Sequence, residues 1–338
     1  MQIVYLKPRS SFRDNLRSDS LWGLICWGIK NLWSEETLLE MISGYQTGFP
    51  LKVSSAFRWV DTPEGWLRFF PKPLLPPFDL QELVCGLNKK EKVAQFARLK
   101  DWRSQKSVRE DVFFRFLSGE LDEKGFFADE SLWNPSDFGR RFKSETTIHN
   151  SINRLTGSTN RPDGIDGSGP GGLYTRDDIF ASNAGLFFFL DGDPGYVSMA
   201  EAALRYYSHI GLMGDSSTGK NHFDITFDDY KVPEIKDPTG FVSLSLYIPS
   251  DTEAEYYSAN PAKCFYEMET RKGKVSSAHL NPVDFWKKSV ITVREGATFP
   301  AMNKNGYGIL RKVKDVSQPN QFSVYQSGIA FNLPARIS

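Results

Sequence analysis

Cysteine is scarce in this sequence. Its three cysteines, Cys26, Cys85 and Cys264, lie far apart and show no C-x-x-C spacing. An odd number of separated cysteines argues against a disulfide framework and against a zinc site with cysteine ligands. We therefore expect a protein of a reducing compartment that holds no metal, and we expect no other cofactor.

Long hydrophobic runs are absent as well. The longest apolar stretch, 184–190, is far too short to cross a bilayer. Lys7, Pro8 and Arg9 interrupt the first apolar stretch, which argues against a signal peptide. These absences predict a cytoplasmic protein that does not bind a membrane.

The sequence has no excess of either charge, because 41 basic residues balance 41 acidic ones. The protein as a whole is therefore not attracted to nucleic acid, but its basic residues cluster in segments 1–18, 140–161 and 287–294, and acidic residues cluster in 224–237. Such clustering suits a bound polyanion with an acidic surface elsewhere. Taken alone, any one of these segments is more simply an ordinary solvated surface.

What the sequence does contain is a glycine-rich segment, Gly211–Phe223, between a helical pattern and a strand pattern. Gly214 to Lys220 fits G-x-x-x-x-G-K, the spacing of a nucleotide-binding P-loop. Asn221 stands where the hydroxyl that binds Mg²⁺ belongs in a P-loop. The segment also follows a helix and precedes a strand, which is the reverse of a P-loop. The sequence therefore argues against a nucleotide site.

The glycines of this segment are nevertheless suited to contact phosphate groups. Their backbone N–H groups can approach phosphate oxygens closely, because glycine tolerates positive φ and has no side chain in the way. We predict that the segment contacts a polyphosphate backbone such as RNA. A glycine-rich turn with a purely structural role is the alternative that stays open.

The order of the predicted elements indicates an α+β fold. Strands are predicted near 3–6, 51–59, 66–70, 184–190 and 223–227, with helices beginning near 18–20 and running over 197–210. These elements contain the ferredoxin-like order strand, helix, strand, strand, helix, strand, with one strand in addition. A helical segment at about 86–140 and a protruding hairpin at about 143–178 are then insertions into this domain.

The second half contains several further strand patterns and no evident amphipathic helix. We predict an N-terminal ferredoxin-like domain at 1–230 and a C-terminal ferredoxin-like domain at 238–338, both with antiparallel sheets.

Hydrophobic spacing also predicts which local residues are buried. Segment 18–20 offers side chains that could cap a helix N-terminus, and Val242 to Ile248 alternate as in a half-buried strand. In the helical insertion, the residues predicted to be buried are Val93, Phe96 and Ala97, followed by Val112, Phe113, Phe116 and Leu117. In the helix before the glycine-rich segment, the predicted buried face consists of Met199, Ala202, Ala203, Tyr206 and Ile210.

Several motifs, in order along the chain, resemble proteins of the CRISPR-associated RAMP superfamily. Segment 18–23 resembles the S-D-T-L-F-G start of a family helix, and segment 214–223 resembles the family's glycine-rich loop. Segments 150–159 and 173–175 resemble the thumb hairpin of the subgroup that binds the 5′ handle of crRNA, and 287–299 and 324–331 resemble its C-terminal strands. The type III-A subgroup is the best match. Two departures from the family loop are Asp215, where relatives usually carry Arg, and Asn221, where they carry a glycine.

The resemblance implies two RRM-like, ferredoxin-like domains in a non-catalytic subunit that holds the crRNA 5′ tag in prokaryotic antiviral defence. It implies three partners, namely the crRNA, the large polymerase-like subunit and a backbone RAMP subunit, with target RNA met only indirectly. The candidate RNA-binding residues are Lys7, Arg9, Ser18, His149, Asn150, Asn153, Arg154, Tyr174, Gly211, Gly214, Ser216, Ser217, Thr218, Gly219, Lys220 and His222.

Other functions are compatible with the sequence. A metal-independent endoribonuclease that processes precursor crRNA needs a general base and a cation. His149 with Arg154 or Lys220 is the best candidate set for that chemistry, and His222 is second. A scaffold that contacts only protein is a third possibility. A further alternative is that the chain is the equivalent RNA-binding subunit of a type III-B or III-D complex instead of a type III-A complex.

Overall fold

A computed structural model describes residues 1–13, 16–79, 85–134, 138–150, 152, 157, 159, 173–212, 214, 216–273, 275, 286–316 and 322–337. The candidate residues Asn153 and Arg154 and the tip of the predicted hairpin at 160–172 lie outside this set. No helix among the described residues is both long and apolar enough to cross a membrane.

The strands and helices predicted for the first two thirds of the chain are present. The elements are β1 (Gln2–Pro8), α1 (Ser18–Leu32), α2 (Glu35–Gly44), β2 (Leu51–Val53), β3 (Phe57–Thr62), β4 (Gly65–Pro71), α3 (Lys89–Ser104), β5 (Ser107–Arg109), α4 (Glu110–Leu117), α5 (Glu123–Ala128), β6 (Phe142–Asn150), β7 (Leu173–Ala181), β8 (Ala184–Gly192), α6 (Pro194–Ile210) and β9 (Phe223–Asp229). Of these, α2 and β5 were not predicted, and β5 interrupts the segment that was expected to be helical.

The main sheet has the strand order β5-β4-β3-β8-β1-β9, with β2 also paired to β8. Every neighbouring pair is antiparallel. The central strands β1 and β8 are buried on both faces, which is why their sequences are runs of apolar residues rather than alternating patterns.

One face of the sheet is covered by α1, α2 and α6, and the helices α1 and α6 approach closely. A Cβ at Gly28 of α1 would lie 2.4 Å from the Cβ of Ala203 in α6, so only glycine permits this contact. Val4, Leu6, Leu186 and Phe188 point into the core on this side. These residues alternate with the ones that face the opposite side, as the two-residue period of a strand requires.

The opposite face of the sheet forms a core shared by both halves of the chain. Phe187 and Phe189 of β8 pack there with the helical insertion and with Leu244 and Phe331 from the second half. The ring centroids of Phe189 and Phe331 are 5.8 Å apart. The two halves are therefore joined by apolar packing, and the predicted boundary at 230–238 stays a prediction.

The predicted buried face of the helical insertion is confirmed for α4, whereas the prediction for α3 is wrong. Val112, Phe113, Phe116 and Leu117 of α4 are all buried. In α3, Val93 and Phe96 are 63% and 59% exposed, and Ala97 is exposed as well. Only Leu99 of α3 is buried, because this helix contacts the body near its C-terminal end.

Two expectations about the other helices are corrected. Helix α1 has Arg17 at its N-cap position with no side-chain cap, so segment 18–20 does not cap it. The buried face of α6 consists of Ala200, Ala203, Leu204 and Tyr207, while Tyr206 and Ile210 are 37% and 46% exposed. The predicted buried face of α6 is therefore rotated about the helix axis relative to the observed one, because apolar residues occupy two neighbouring faces of this helix.

The second half contains β10 (Gly240–Ser243), α7 (Asp251–Ala259), β11 (Met268–Arg271), β12 (Val290–Val293), β13 (Thr298–Pro300), β14 (Leu310–Val316), β15 (Phe322–Ser327) and β16 (Asn332–Ala335). Strands β13, β10 and β16 form one sheet in that order, and β11-β12 and β14-β15 form two-stranded sheets. All of these pairings are antiparallel.

In the second half, one helix was not predicted from the sequence, and one strand prediction was wrong. Helix α7 is held at its start by a reciprocal capping box between Ser250 and Glu253, and its apolar periodicity is weak. Residues 240–248 are buried throughout and β10 ends at Ser243, so the segment is not a half-buried strand. It runs between the cores, with Leu244 in the shared core and Tyr247 in a second-half cluster.

Candidate nucleic-acid interface

The glycine-rich segment folds back on the end of α6. Gly211 ends the helix with φ +91°, a conformation that favours glycine, and a Cβ there would lie 2.4 Å from the Cβ of Ser216. Residues Ser216–Thr218 form one 3-10 turn, and the N–H of Gly219 donates to the carbonyl of Ser216 at 3.0 Å. Gly214, Ser217, Thr218 and Gly219 are exposed, so the outer edge of the loop faces solvent.

Asn221 is the internal brace of this loop. Its φ is +59°, the left-handed region that Asn adopts more readily than other side chains that carry a Cβ. Its side-chain amide donates to the carbonyl of Gly214 at 2.7 Å, and its side-chain oxygen accepts from the N–H of Arg13 at 3.2 Å. Asn221 therefore combines a left-handed backbone conformation with two side-chain hydrogen bonds that hold the loop in place.

Backbone and side-chain bonds attach the loop to the segment that follows β1. The N–H of Asn221 donates to the carbonyl of Ser11 at 2.9 Å, and the N–H of His222 donates to the hydroxyl of Ser10 at 3.1 Å. The Nε2 atom of His222 lies 3.1 Å from the carbonyl oxygen of Ser216. The imidazole is thus held against the loop backbone.

Lys7 and Arg9 are exposed at the end of β1. In the β1–β9 register Lys7 is opposite Asp224. The guanidinium of Arg9 lies 3.4 Å from the carboxylate of Asp224 and donates to the carbonyl of Ser208 at 2.8 Å. Arg9 adjoins the glycine-rich segment, since its backbone N–H also donates to the carbonyl of His222 at 2.8 Å.

The predicted hairpin is present in its two arms. Strands β6 and β7 pair antiparallel over their full length, from Phe142 opposite Ala181 to Asn150 opposite Leu173. The base of the hairpin docks on the same segment as the loop, because Phe12 and Ile179 exchange backbone hydrogen bonds of 3.0 and 2.8 Å.

An ion pair joins the loop to the hairpin. The ammonium of Lys220 contacts the carboxylate of Asp178 in β7, and these side chains are 17% and 2% exposed. The hydroxyl of Thr147 donates to the same carboxylate oxygen at 3.0 Å. Burial raises the pKa of Asp178, but the hydrogen bonds from Lys220 and Thr147, together with the positive charge of Lys220, lower it, and the net pKa is below its ordinary value. Lys220 is therefore engaged within the protein rather than extended into solvent.

The outer part of the hairpin presents aromatic and apolar side chains. The rings of His149 and Tyr174 stack with centroids 5.5 Å apart, and the guanidinium of Arg176 lies 4.7 Å from the Tyr174 centroid. On the other face Ile148 and Leu173 are 73% and 49% exposed. Such a surface can stack on unpaired bases, since every base has a π-face.

Ser18 does not belong to this surface. It is 3% exposed, its hydroxyl accepts from the N–H of Leu246 at 2.9 Å, and its own N–H donates to Ser55. This places it between the two halves, where it cannot reach a bound strand. Its contact ties α1 to the second half.

The structure adds Thr147, Arg176 and Asp178 to the site. Tyr174, Arg176 and Asp178 alternate along β7, so a strand assignment alone would have placed them on one face. Among the described residues, no three or more His, Cys, Asp or Glu side chains gather as metal ligands.

Comparison with known proteins was made in sequence and in structure. The chain is 23% identical over 254 residues to CRISPR system Cms protein Csm4 of Thermococcus onnurineus (strain NA1), a match that covers 74% of this chain and 75% of the relative. It matches no protein-family model.

The structural matches cover the whole chain. A chain of the Csm3-Csm4 subcomplex in the type III-A CRISPR-Cas interference complex gives a TM-score of 0.62 at 15% identity and covers 99% of both chains. A chain of the Csm1-Csm4 cassette in complex with cA4 gives a TM-score of 0.58 at 16% identity, covering 100% of this chain and 98% of that chain. Csm4 is the component that these names share. The chain has a Csm4-like fold.

The similarity to Csm4 chains confirms the resemblance that the sequence motifs indicated. It also confirms a mixed fold of helices and antiparallel sheets. The division into two ferredoxin-like domains and the assignment of RNA-contacting residues stay predictions.

Proposed function

We propose that this Csm4-like chain is a non-catalytic RNA-binding subunit of a type III-A CRISPR effector complex, and that it holds the 5′ tag of the crRNA. One observation carries the proposal. The glycine-rich loop, the segment after β1 and the base of the hairpin are fastened together by the Lys220–Asp178 ion pair, the bonds of Asn221 and the Phe12–Ile179 bridge. A loop for phosphates and a projecting aromatic surface therefore form one unit.

The chemistry of this unit suits a single strand. A single-stranded tag offers no groove to read, so affinity comes from phosphate contacts and from bases stacked on aromatic side chains. The exposed Gly214, Ser217, Thr218 and Gly219 would contact phosphates, aided by Lys7 and Arg9. Tyr174 and His149 would stack on or wedge against a base, and Asn150 at the described end of β6 could hydrogen-bond to it.

The architecture and partners follow from the same proposal. Strands β3, β8, β1 and β9, with a helix after β1 and another after β8, would form the N-terminal ferredoxin-like domain. Csm4 chains occur in complexes with Csm1 and with Csm3. We infer that this chain meets a large Csm1-like subunit and a Csm3-like backbone subunit in the same way.

The test compares two RNAs. The full-length chain is titrated with fluorescein-labelled crRNA that carries the tag and with the same RNA from which the tag has been removed. If about four phosphates are neutralised, the logarithm of the association constant for tagged RNA falls with the logarithm of salt concentration at a slope of roughly −3. Removal of the tag is expected to weaken binding about tenfold or more, since stacked bases and phosphate contacts are lost together.

Equal affinity for the two RNAs would contradict the proposal. A second assay addresses catalysis, in which the chain is incubated with precursor crRNA. Cleavage that disappears in His149→Ala would show that the chain is an endoribonuclease instead.

A further inference from the structure

The helical insertion borders a cleft that has no role in the proposed function. The cleft has a volume of about 740 Å³ and lies between the β3–β4–β5 edge of the sheet, the insertion and the second half of the chain. This volume lies within the roughly 300–1,000 Å³ of small-ligand pockets. Residues of the insertion form one wall, among them Trp102, Arg103 and Lys106.

The cleft has an excess of positive charge. Its acidic residues are each paired: Glu123 lies 3.1 Å from Lys72, Glu267 lies 3.0 Å from Arg294, and Glu295 contacts Arg17. Arg103 and Lys106 are exposed on the wall and form no ion pair within the described part of the chain. Two uncompensated cations in a partly enclosed space favour an anionic ligand, because low-dielectric walls concentrate their field.

The cleft is also aromatic. Phe138 lines it, with its ring centroid 4.1 Å from that of the buried Phe69. Trp102 lines it as well, with the ammonium of Lys72 4.3 Å from its ring centroid. Aromatic planes beside cations match a nucleotide, which has a flat base and an anionic phosphate.

The cleft reaches the base of the hairpin. The guanidinium of Arg58, which lines the cleft, lies 4.6 Å from the ring centroid of Phe142 at the start of β6. The Phe138 and Phe142 centroids are 6.1 Å apart. A strand that follows the hairpin toward its base therefore arrives at the cleft.

We propose that this cleft is a second RNA subsite that binds one or two nucleotides of the single strand, with Arg103 and Lys106 on phosphates and aromatic side chains beside the bases. The helical insertion thereby has a role in RNA binding. This inference rests on the proposed function, since it needs the hairpin to guide the strand.

The test uses the full-length chain and fluorescein-labelled crRNA with its tag. The double variant Arg103→Ala/Lys106→Ala removes the two exposed cations. As a matched control, Lys89→Ala/Lys90→Ala removes two exposed lysines from the first turn of α3, the helix whose last turn contains Arg103. Loss of two phosphate contacts on a single strand reduces the magnitude of the salt slope by about 1.4 and weakens binding about tenfold near 0.15 M salt. The control pair is expected to change affinity less than twofold.

The outcomes separate the two proposals. If both double variants bind as the wild type does, while removal of the tag still weakens binding, the cleft is not an RNA subsite and the proposed function stands. If the wild type itself does not discriminate tagged RNA, the proposed function fails. If Arg103→Ala/Lys106→Ala keeps full RNA affinity but no longer copurifies with the large subunit, the cleft is a protein-docking surface and the inference is overturned.

Discussion

Lys220 of the glycine-rich loop and Asp178 of the hairpin form an ion pair across two segments that are 42 residues apart in the chain. The carboxylate is almost completely buried, and Thr147 supplies a second hydrogen bond to it. This pair makes the orientation of the hairpin depend on the loop. The G-x-x-x-x-G-K spacing would assign Lys220 to phosphate binding, but its ammonium is paired with Asp178 within the protein.

Breaking this pair should destabilise the protein strongly. Lys220→Met leaves the Asp178 carboxylate buried without its cation, and we expect the free energy of unfolding to fall by about 3 kcal/mol. The measurement is urea unfolding, with Lys220→Met/Asp178→Asn completing a double-mutant cycle. The matched control is Lys143→Met, because Lys143 pairs with Glu145 in the same hairpin with side chains 73% and 47% exposed. Its loss should change the free energy of unfolding little, because solvent screens an exposed ion pair. Equal effects of Lys220→Met and Lys143→Met would rule out a special role for the buried pair.

The contribution of Asp178 to stability should disappear in acid. Its folded pKa is lower than the ordinary 3.8, so its stabilisation is present above that value and is lost as pH falls through the folded pKa. We expect the difference in unfolding free energy between the wild type and Asp178→Asn to be constant between about pH 7 and 5, and to shrink below about pH 4. Urea unfolding of both proteins across this range measures it. A difference that grows on acidification would contradict the assigned direction of the pKa shift.

Substitutions of Asn221 should separate backbone conformation from hydrogen bonding. Asn221→Gly keeps the positive φ but loses two side-chain hydrogen bonds, at about 1 kcal/mol each. Asn221→Ala loses the same bonds and adds about 1 kcal/mol of left-handed strain. We therefore expect Asn221→Ala to unfold at a lower urea concentration than Asn221→Gly. The reverse order would show that the backbone conformation at this position does not limit stability.

Tyr174 should contribute to RNA binding by stacking. Replacing it with alanine is expected to weaken binding of tagged crRNA by about 1–3 kcal/mol, the range for one stacked base. Tyr206→Ala is the control, because Tyr206 is 37% exposed on α6 and its ring packs edge-on against Tyr207. Fluorescence anisotropy measures both. Unchanged affinity in Tyr174→Ala would remove the hairpin's stacking surface from the proposed interface.

The alternating elements of the main sheet were predictable because their patterns are local. The apolar run of β8 and the alternation of β9 follow from which faces of the sheet are covered. Burial in α3 was not predictable in this way. Val93 and Phe96 have helical spacing, but spacing does not say whether another element covers the face, and none among the described residues covers it closely enough to bury them.

The amino-acid sequence by itself determined β1, α1, β4, β8, α6 and β9, the glycine-rich loop between α6 and β9, and the two arms of the hairpin, although it did not indicate α2 or β5. Each of these depends on periodicity and on the backbone freedom of glycine, which act over a few residues. Only the tertiary structure decided that Ser18 is enclosed between the two halves, that Lys220 is committed to Asp178, and that the insertion forms the wall of a cleft. Those outcomes depend on contacts between segments far apart in the chain, and no local pattern specifies such partners.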